Sequence, residues 1–182
     1  LGHWLSAAAL LIAQNRDREL KAKLDTIIDA LARCQELNGG RWIGSIPEKY
    51  FEKQKKNEYI CSPQYTLHKT LLGLYHSALY AQNQVALEIL GKAADWYLEW
   101  TEKMMQKNPH AVYSGEEGGM LEVWAGLYQL TEDERYLTLA QRYAHPSIFG
   151  RLADGEDPLS NCHANASIPW AHGAAKMYEI TG

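Results

Sequence analysis

Four times along this chain a helix rich in apolar and small residues is opened by polar or glycine-rich residues and followed by a polar turn. In the first three cases a charged amphipathic helix comes next. The four openings are Gly2-His3-Trp4-Leu5, Tyr65-Thr66-Leu67-His68-Lys69, Gly118-Gly119-Met120-Leu121-Glu122 and His163-Ala164-Asn165-Ala166-Ser167-Ile168-Pro169. A unit that recurs in this way cannot bury its apolar face alone, so its copies must stack on one another. A helix gathers its unsatisfied N–H groups at its N-terminal end, and His or Glu repeated there predicts several helix ends converging on one site.

The two kinds of helix differ in pattern. Leu20, Leu24, Ile27, Ile28 and Leu31 share one face, while Arg18, Glu19, Lys21, Lys23, Asp25 and Asp29 take the rest, which predicts a helix with one wet side. The stretch from Leu5 to Ala13 is almost entirely Ala, Leu and Ile and predicts a helix buried all round. The same pairing recurs in Leu67 to Ala81 with Gln84 to Met105, and in Met120 to Leu130 with Glu134 to Ala144. The links Gln14-Asn15-Arg16-Asp17, Gln82-Asn83-Gln84 and Thr131-Glu132-Asp133 are short and polar, which favours antiparallel neighbours. Longer stretches rich in Gly, Pro and polar residues, 38–63, 108–115 and 146–160, are candidate site loops. The longest segment with strand alternation is only Arg41 to Ile46. The pattern predicts an all-α fold: a partial α/α toroid of antiparallel hairpins, buried helices inside and half-wet helices outside.

Residues 1–182 read as a single α/α-barrel domain cut at both ends. The chain opens inside a buried helix without an initiator Met, and Thr181-Gly182 falls in a hairpin turn. The flanks of its first and last hairpins are then expected to expose apolar surface and to support self-association.

With 46% hydrophobic and 22% charged residues, the chain can bury a core and is not disordered. Its net charge of −4, with the short Lys53-Gln54-Lys55-Lys56 run flanked by Glu52 and Glu58, excludes a nucleic-acid partner. The apolar run Ala7 to Ala13 is too short for a bilayer, so no membrane role is expected. Cys34, Cys61 and Cys162 are odd in number and lack Cys-x-x-Cys spacing, which argues against a disulfide framework or a zinc site of their own. They read as buried structural cysteines, and a reducing, cytoplasmic compartment is favoured.

Taken in order, Gly2-His3, Tyr65-Thr66-Leu67-His68-Lys69, Glu116-Glu117-Gly118-Gly119-Met120-Leu121-Glu122 and His163 to Pro169 resemble the β-L-arabinofuranosidase clan, more closely glycoside hydrolase family 146 and then family 127. Arg41-Trp42-Ile43-Gly44-Ser45-Ile46-Pro47 and Tyr136-Leu137 with Leu139-Ala140 are similar to the same clan. The resemblance spans nearly the whole chain and implies about half of an (α/α)6 barrel. The expected substrate is a terminal β-L-arabinofuranosyl residue of plant or glycoprotein glycans. Three positions depart from the family pattern: Glu117 stands where His is common, Leu121 where Asn is common, and Ala166 where Thr is common. These departures bear on the sugar more than on the fold.

In the clan the nucleophile is similar to a zinc-bound Cys, with further Cys ligands, a Glu and a separate Glu acid/base. A thiolate on zinc suits this chemistry because the metal keeps it deprotonated. Those positions are expected downstream of this chain, so neither catalytic residues nor metal ligands are expected within it. The expected substrate-binding residues are His68, Glu122, His163, Asn165, Tyr65, His3 and Trp42. His and Asn offer directional hydrogen bonds to hydroxyls, Glu122 lies in an apolar helix and needs a partner, and Trp42 in a loop word could stack on a sugar. For His68 the bland reading is a core or capping histidine, and for His163 and Asn165 a helix start with Asn161 or Asn165 as N-cap and Pro169 in the first turn. Glu116 and Glu117 read as solvated capping residues, and Trp96 with Trp100 as packing. Two other functions stay open: a metal-independent toroid epimerase or lyase using His68, Tyr65 and His163, and a non-catalytic helical scaffold.

Overall fold

The computed structural model describes residues 1–56, 58 and 60–182, so Asn57 and Tyr59 of the 38–63 loop lie outside the described residues. The elements in chain order are α1 (Gly2–Asn15), α2 (Arg18–Leu37), α3 (Lys49–Lys55), α4 (Pro63–Ala81), α5 (Gln84–Lys107), a 3-10 turn (Pro109–Ala111), α6 (Met120–Thr131), α7 (Glu134–Tyr143), α8 (Pro146–Ala153) and α9 (Ala164–Thr181). No strand occurs among the described residues, and the alternating segment from Arg41 to Ile46 is irregular loop.

Two layers curve side by side. In the inner layer α1 packs on α4, α4 on α6 and α6 on α9, while in the outer layer α2 packs on α5 and α5 on α7. The first three inner helices also pack on the outer helix that follows each, which is the hairpin arc of an α/α toroid.

The three hairpin links share one construction. The inner helix ends at a left-handed residue, Arg16 (φ 55°), Gln82 (φ 53°) or Glu132 (φ 58°). The next residue, Asp17, Asn83 or Asp133, accepts a hydrogen bond from the first turn of the outer helix. Each link reverses the chain in two residues and caps the next helix, so all inner helices run the same way. Their N-termini therefore share the opposite end of the arc.

Asn83 is the buried case: its Oδ1 accepts from the Ala86 N–H at 2.8 Å while its Nδ2 donates to Asp25 of α2 at 2.8 Å. Asn83→Ala is expected to lower urea-unfolding stability by about 2 kcal/mol, the upper end for a lost cap. Asp17→Ala, whose cap bond is exposed, is expected to cost about half as much.

Backbone contact replaces side chains where inner helices cross. A Cβ on Gly2 would lie 1.8 Å from the Lys69 carbonyl oxygen, and one on Gly73 would lie 2.6 Å from the Gly2 carbonyl oxygen. The core between layers is aromatic: Trp124 and Tyr97 are fully buried with ring centroids 5.2 Å apart, edge to face. Phe51 of α3 inserts among Trp42, Trp96 and Trp100 at 5.2–5.3 Å, which fastens the 38–63 loop to α5. Trp96 and Trp100 stack at 5.9 Å as packing residues.

Two features differ from the sequence reading. Stretches expected to be irregular contain two short helices, α3, which Phe51 anchors in the aromatic core, and α8, which starts at Pro146 and buries no residue. Helix α1 is not buried all round, since Leu10 and Leu11 are each 47% exposed and Trp4 is also exposed. Among the described residues α1 packs chiefly on α4 and α2, and the stripe of Leu10 and Leu11 is left uncovered.

Candidate functional site

The inner-helix N-termini and the loops before them form one end of the arc, and this end carries unusual backbone. Among the described residues Ser62 (φ 44°), Glu116 (φ 58°) and Asn161 (φ 66°) are the remaining non-glycine residues in the left-handed region, and each shortly precedes an inner helix. Such conformations persist only where surrounding contacts impose them. Two buried glutamines do so for the loop before α6. Gln64 donates to the carbonyls of Ala111, Val112 and Ser114 and accepts from the Tyr143 hydroxyl at 2.6 Å. Gln54 donates to Ala111 and Ser114.

That loop delivers Gly118 and Gly119, whose missing side chains make room for two different neighbours. A Cβ on Gly118 would lie 2.1 Å from the Ala166 carbonyl oxygen in the first turn of α9. One on Gly119 would lie 2.2 Å from Cε1 and 2.4 Å from Nε2 of His68. The paired glycines thus bring the start of α9 and the His68 imidazole against adjacent residues of one loop.

His68 is 4% exposed, and its Nε2 is buried with no hydrogen-bond partner among the described residues. Burial, followed by the charges of Lys69, His3 and His76, pushes its pKa down to about 3, so the ring is neutral at ordinary pH. A neutral imidazole with an unmet ring nitrogen can donate or accept one hydrogen bond, according to tautomer.

Around His68 lies a polar group drawn from four inner helices. Lys69 sits over the Tyr65 ring, 4.7 Å from its centroid. Burial lowers the Lys69 pKa and the Glu122 carboxylate acts in the opposite direction, which places those two charges within reach of each other. The Glu122 carboxylate in turn lies 3.8 Å from Nδ1 of His172 on α9. His3 is exposed on the first turn of α1 and connects to this group through its charge effect on His68. One and two turns below Lys69 on the same stripe of α4 come Leu72 and His76, the latter with a buried, unpartnered Nδ1.

The structure thus brings Tyr65, His68, Glu122 and His3 together. His163 and Asn165 lie exposed at the start of α9, at the same end of the arc, with no side-chain partner among the described residues. Pro169 lies inside α9 rather than in its first turn, and having no N–H it leaves the Asn165 carbonyl without its helical donor. Trp42 is placed elsewhere: it is 5% exposed, gives its indole N–H to the Ile46 carbonyl at 3.0 Å and is covered by Phe51 and Trp96. It belongs to the aromatic core and offers no ring face to a sugar.

Lys69, His172 and His76 join the group without having been singled out from sequence. Glu117, expected to be solvated, is instead 5% exposed beneath Trp170, whose indole N–H donates to it at 3.3 Å, and burial pushes its carboxyl up. The three cysteines also differ from expectation, since Cys34 and Cys61 are exposed and Cys162 is half-buried.

Among the described residues no group of three or more His, Cys, Asp or Glu side chains is arranged to hold a metal ion. No helix among them is long and apolar enough to cross a membrane.

A family model described as beta-L-arabinofuranosidase, GH127 catalytic domain, matches residues 1–182. The chain belongs to that family, which is one of glycosidases with carbohydrate substrates. No curated protein matches the chain.

Proposed function

We propose that residues 1–182 are one part of the catalytic barrel of a glycosidase that removes terminal β-L-arabinofuranosyl residues from plant or glycoprotein glycans. In this reading the chain supplies the wall of the sugar pocket, and residues outside it supply the nucleophile, the acid/base and the zinc ligands. The observation that carries the proposal is the buried, neutral His68 with its unpartnered Nε2, set beside Lys69, Glu122 and His172. A sugar hydroxyl would satisfy that nitrogen, and the Glu122 carboxylate would accept from a second hydroxyl. His163, Asn165 and the freed Asn165 carbonyl add polar groups from α9, and Tyr65 and His3 border the same region.

Wall residues of this kind orient a sugar. Retaining hydrolysis also requires a nucleophile and an acid/base about 5 Å apart across the anomeric carbon, and no pair in this chain is assigned those roles. A His68 pKa of about 3 also removes the main candidate for metal-independent acid–base chemistry, because an effective general acid or base has its pKa near the working pH. The exposed apolar residues Leu10 and Leu11 on α1, with Ile168 and Tyr178 on α9, offer the two ends of the arc to a neighbouring helical hairpin or a second copy.

The test compares this chain with a longer form of the protein on an aryl β-L-arabinofuranoside, with and without a zinc chelator. Turnover is expected from the longer form only, and the chelator should abolish it. In that form His68→Ala should lower kcat/KM by about tenfold or more, the cost of a hydrogen bond to a substrate hydroxyl. Turnover by residues 1–182 alone, or turnover that survives the chelator, would overturn the assignment of roles.

A further inference from the structure

We propose that the cavity enclosed by the loops before α4 and α6 is a second sugar subsite, which receives a neutral monosaccharide unit of the glycan next to the residue held at His68. The proposal rests on the glycosidase reading and extends it from one sugar unit to two.

The cavity has a volume of about 380 Å³ and is lined by Gln54, Ser62, Pro63, Ser114 and Glu116 together with Ile60 and Glu58. That volume falls within the range of small-ligand pockets, toward its lower end. The position suits a neighbouring unit: Pro63 precedes His68 by five residues on α4, or about 7.5 Å along the helix axis. On the α6 side, Glu116 precedes Gly119, which bears the His68 ring, by three residues.

The lining is amphipathic in the manner of a sugar ring. Pro63 and Ile60 give an apolar surface for C–H groups, and Ser62 and Ser114 add hydroxyl oxygens to the lining. Ser62 donates to Oε1 of Glu116 at 2.9 Å, so the two left-handed residues are bonded to each other across the cavity wall. The other Glu116 oxygen has no partner among the described residues. Gln54 is 6% exposed and donates through its amide nitrogen to Ala111 and Ser114, yet its Oε1 is buried without a partner. Of the two, the Glu116 oxygen is the acceptor open to the cavity, since the Gln54 Oε1 is sealed from solvent. Among the described residues the lining holds two carboxylates and no Lys or Arg, which disfavours uronates and phosphates and favours a neutral unit that donates hydroxyl hydrogens.

The test is calorimetric titration of the protein with two probes. One is methyl β-L-arabinofuranoside, and the other is the same sugar linked to a neutral second monosaccharide. The disaccharide is expected to bind about tenfold tighter than the monoglycoside, a gain of about 1.4 kcal/mol. Glu116→Gln and the exposed Glu58→Gln should each reduce that gain while leaving monoglycoside affinity unchanged. Equal affinity for the two probes, or loss of affinity for both on Glu116→Gln, overturns the subsite and leaves the His68 reading standing. A disaccharide gain that persists while His68→Ala leaves monoglycoside affinity unchanged supports the subsite and counts against the His68 reading. No binding of either probe overturns both.

Discussion

Gly119→Ala is expected to abolish sugar binding at His68 and to destabilise the protein, although alanine is the smallest possible change. The backbone of Gly119 (φ −85°, ψ −8°) is open to alanine, and reduced freedom in the unfolded chain would by itself favour the substitution by about 0.4–1 kcal/mol. Sterics decide the sign, because the new methyl group would stand within 2.8 Å of three atoms of the His68 ring. The ring is enclosed and cannot swing clear as the end of a long chain could, so overpacking of about 1–3 kcal/mol is expected. A double-mutant cycle isolates the contact: adding His68→Ala to Gly119→Ala should restore most of the stability and none of the binding. Gly118→Ala behaves differently, since its methyl group would meet the Ala166 backbone 2.1 Å away and must displace the start of α9. It should be the more destabilising of the two, and His68→Ala should not rescue it. Additive energies in the Gly119–His68 cycle would mean that the ring does not rest on Gly119.

The contrast between those neighbouring glycines shows which parts of the molecule the sequence exposes. Helix periodicity separates α2, α5 and α7 from the inner helices because a wet face is a local property of the chain. The two-residue links are legible for the same reason, as Asp17, Asn83 and Asp133 cap the helices they begin. The stripe Tyr65, Lys69, Leu72 and His76 was present in the spacing, so Lys69 and His76 could have been found by extending it from Tyr65. Other features depend on residues distant in sequence. Trp42 lies in a loop word, and only the arrival of Phe51 and Trp96 buries it. Glu117 follows a turn that would suit a solvated cap, and Trp170, 53 residues away, closes over it. Exposure on α1 escaped notice because composition shows that a helix is apolar but not on how many sides it has neighbours.

The largest effect of pH is expected on the acid side and originates in His68. Its pKa is about 3 in the folded chain against 6.5 when unfolded, so the unfolded chain binds a proton that the native one refuses. The stabilisation is complete above pH 6.5 and is lost as pH falls toward 3, with a total of about 5 kcal/mol at 1.36 kcal/mol per pH unit. That loss is comparable to the whole stability of a small domain, which is about 5–15 kcal/mol. His76 and His145, both lowered by burial, act in the same direction. Glu117 acts against them: its carboxyl is raised by burial, so its contribution is present below the ordinary carboxylate pKa and is lost as pH rises through the raised value. Urea unfolding at pH 7 and pH 4 separates these groups. The wild-type chain should lose about 3 kcal/mol more than His68→Gln between the two pH values, since glutamine cannot titrate. Glu117→Gln should steepen the loss on acidification, because the wild-type carboxyl gains from protonation and the amide does not. A wild-type acid limb no steeper than that of His68→Gln would mean that the ring takes up its proton freely in the folded state, and the neutral imidazole proposed as a sugar-binding group would have to be abandoned.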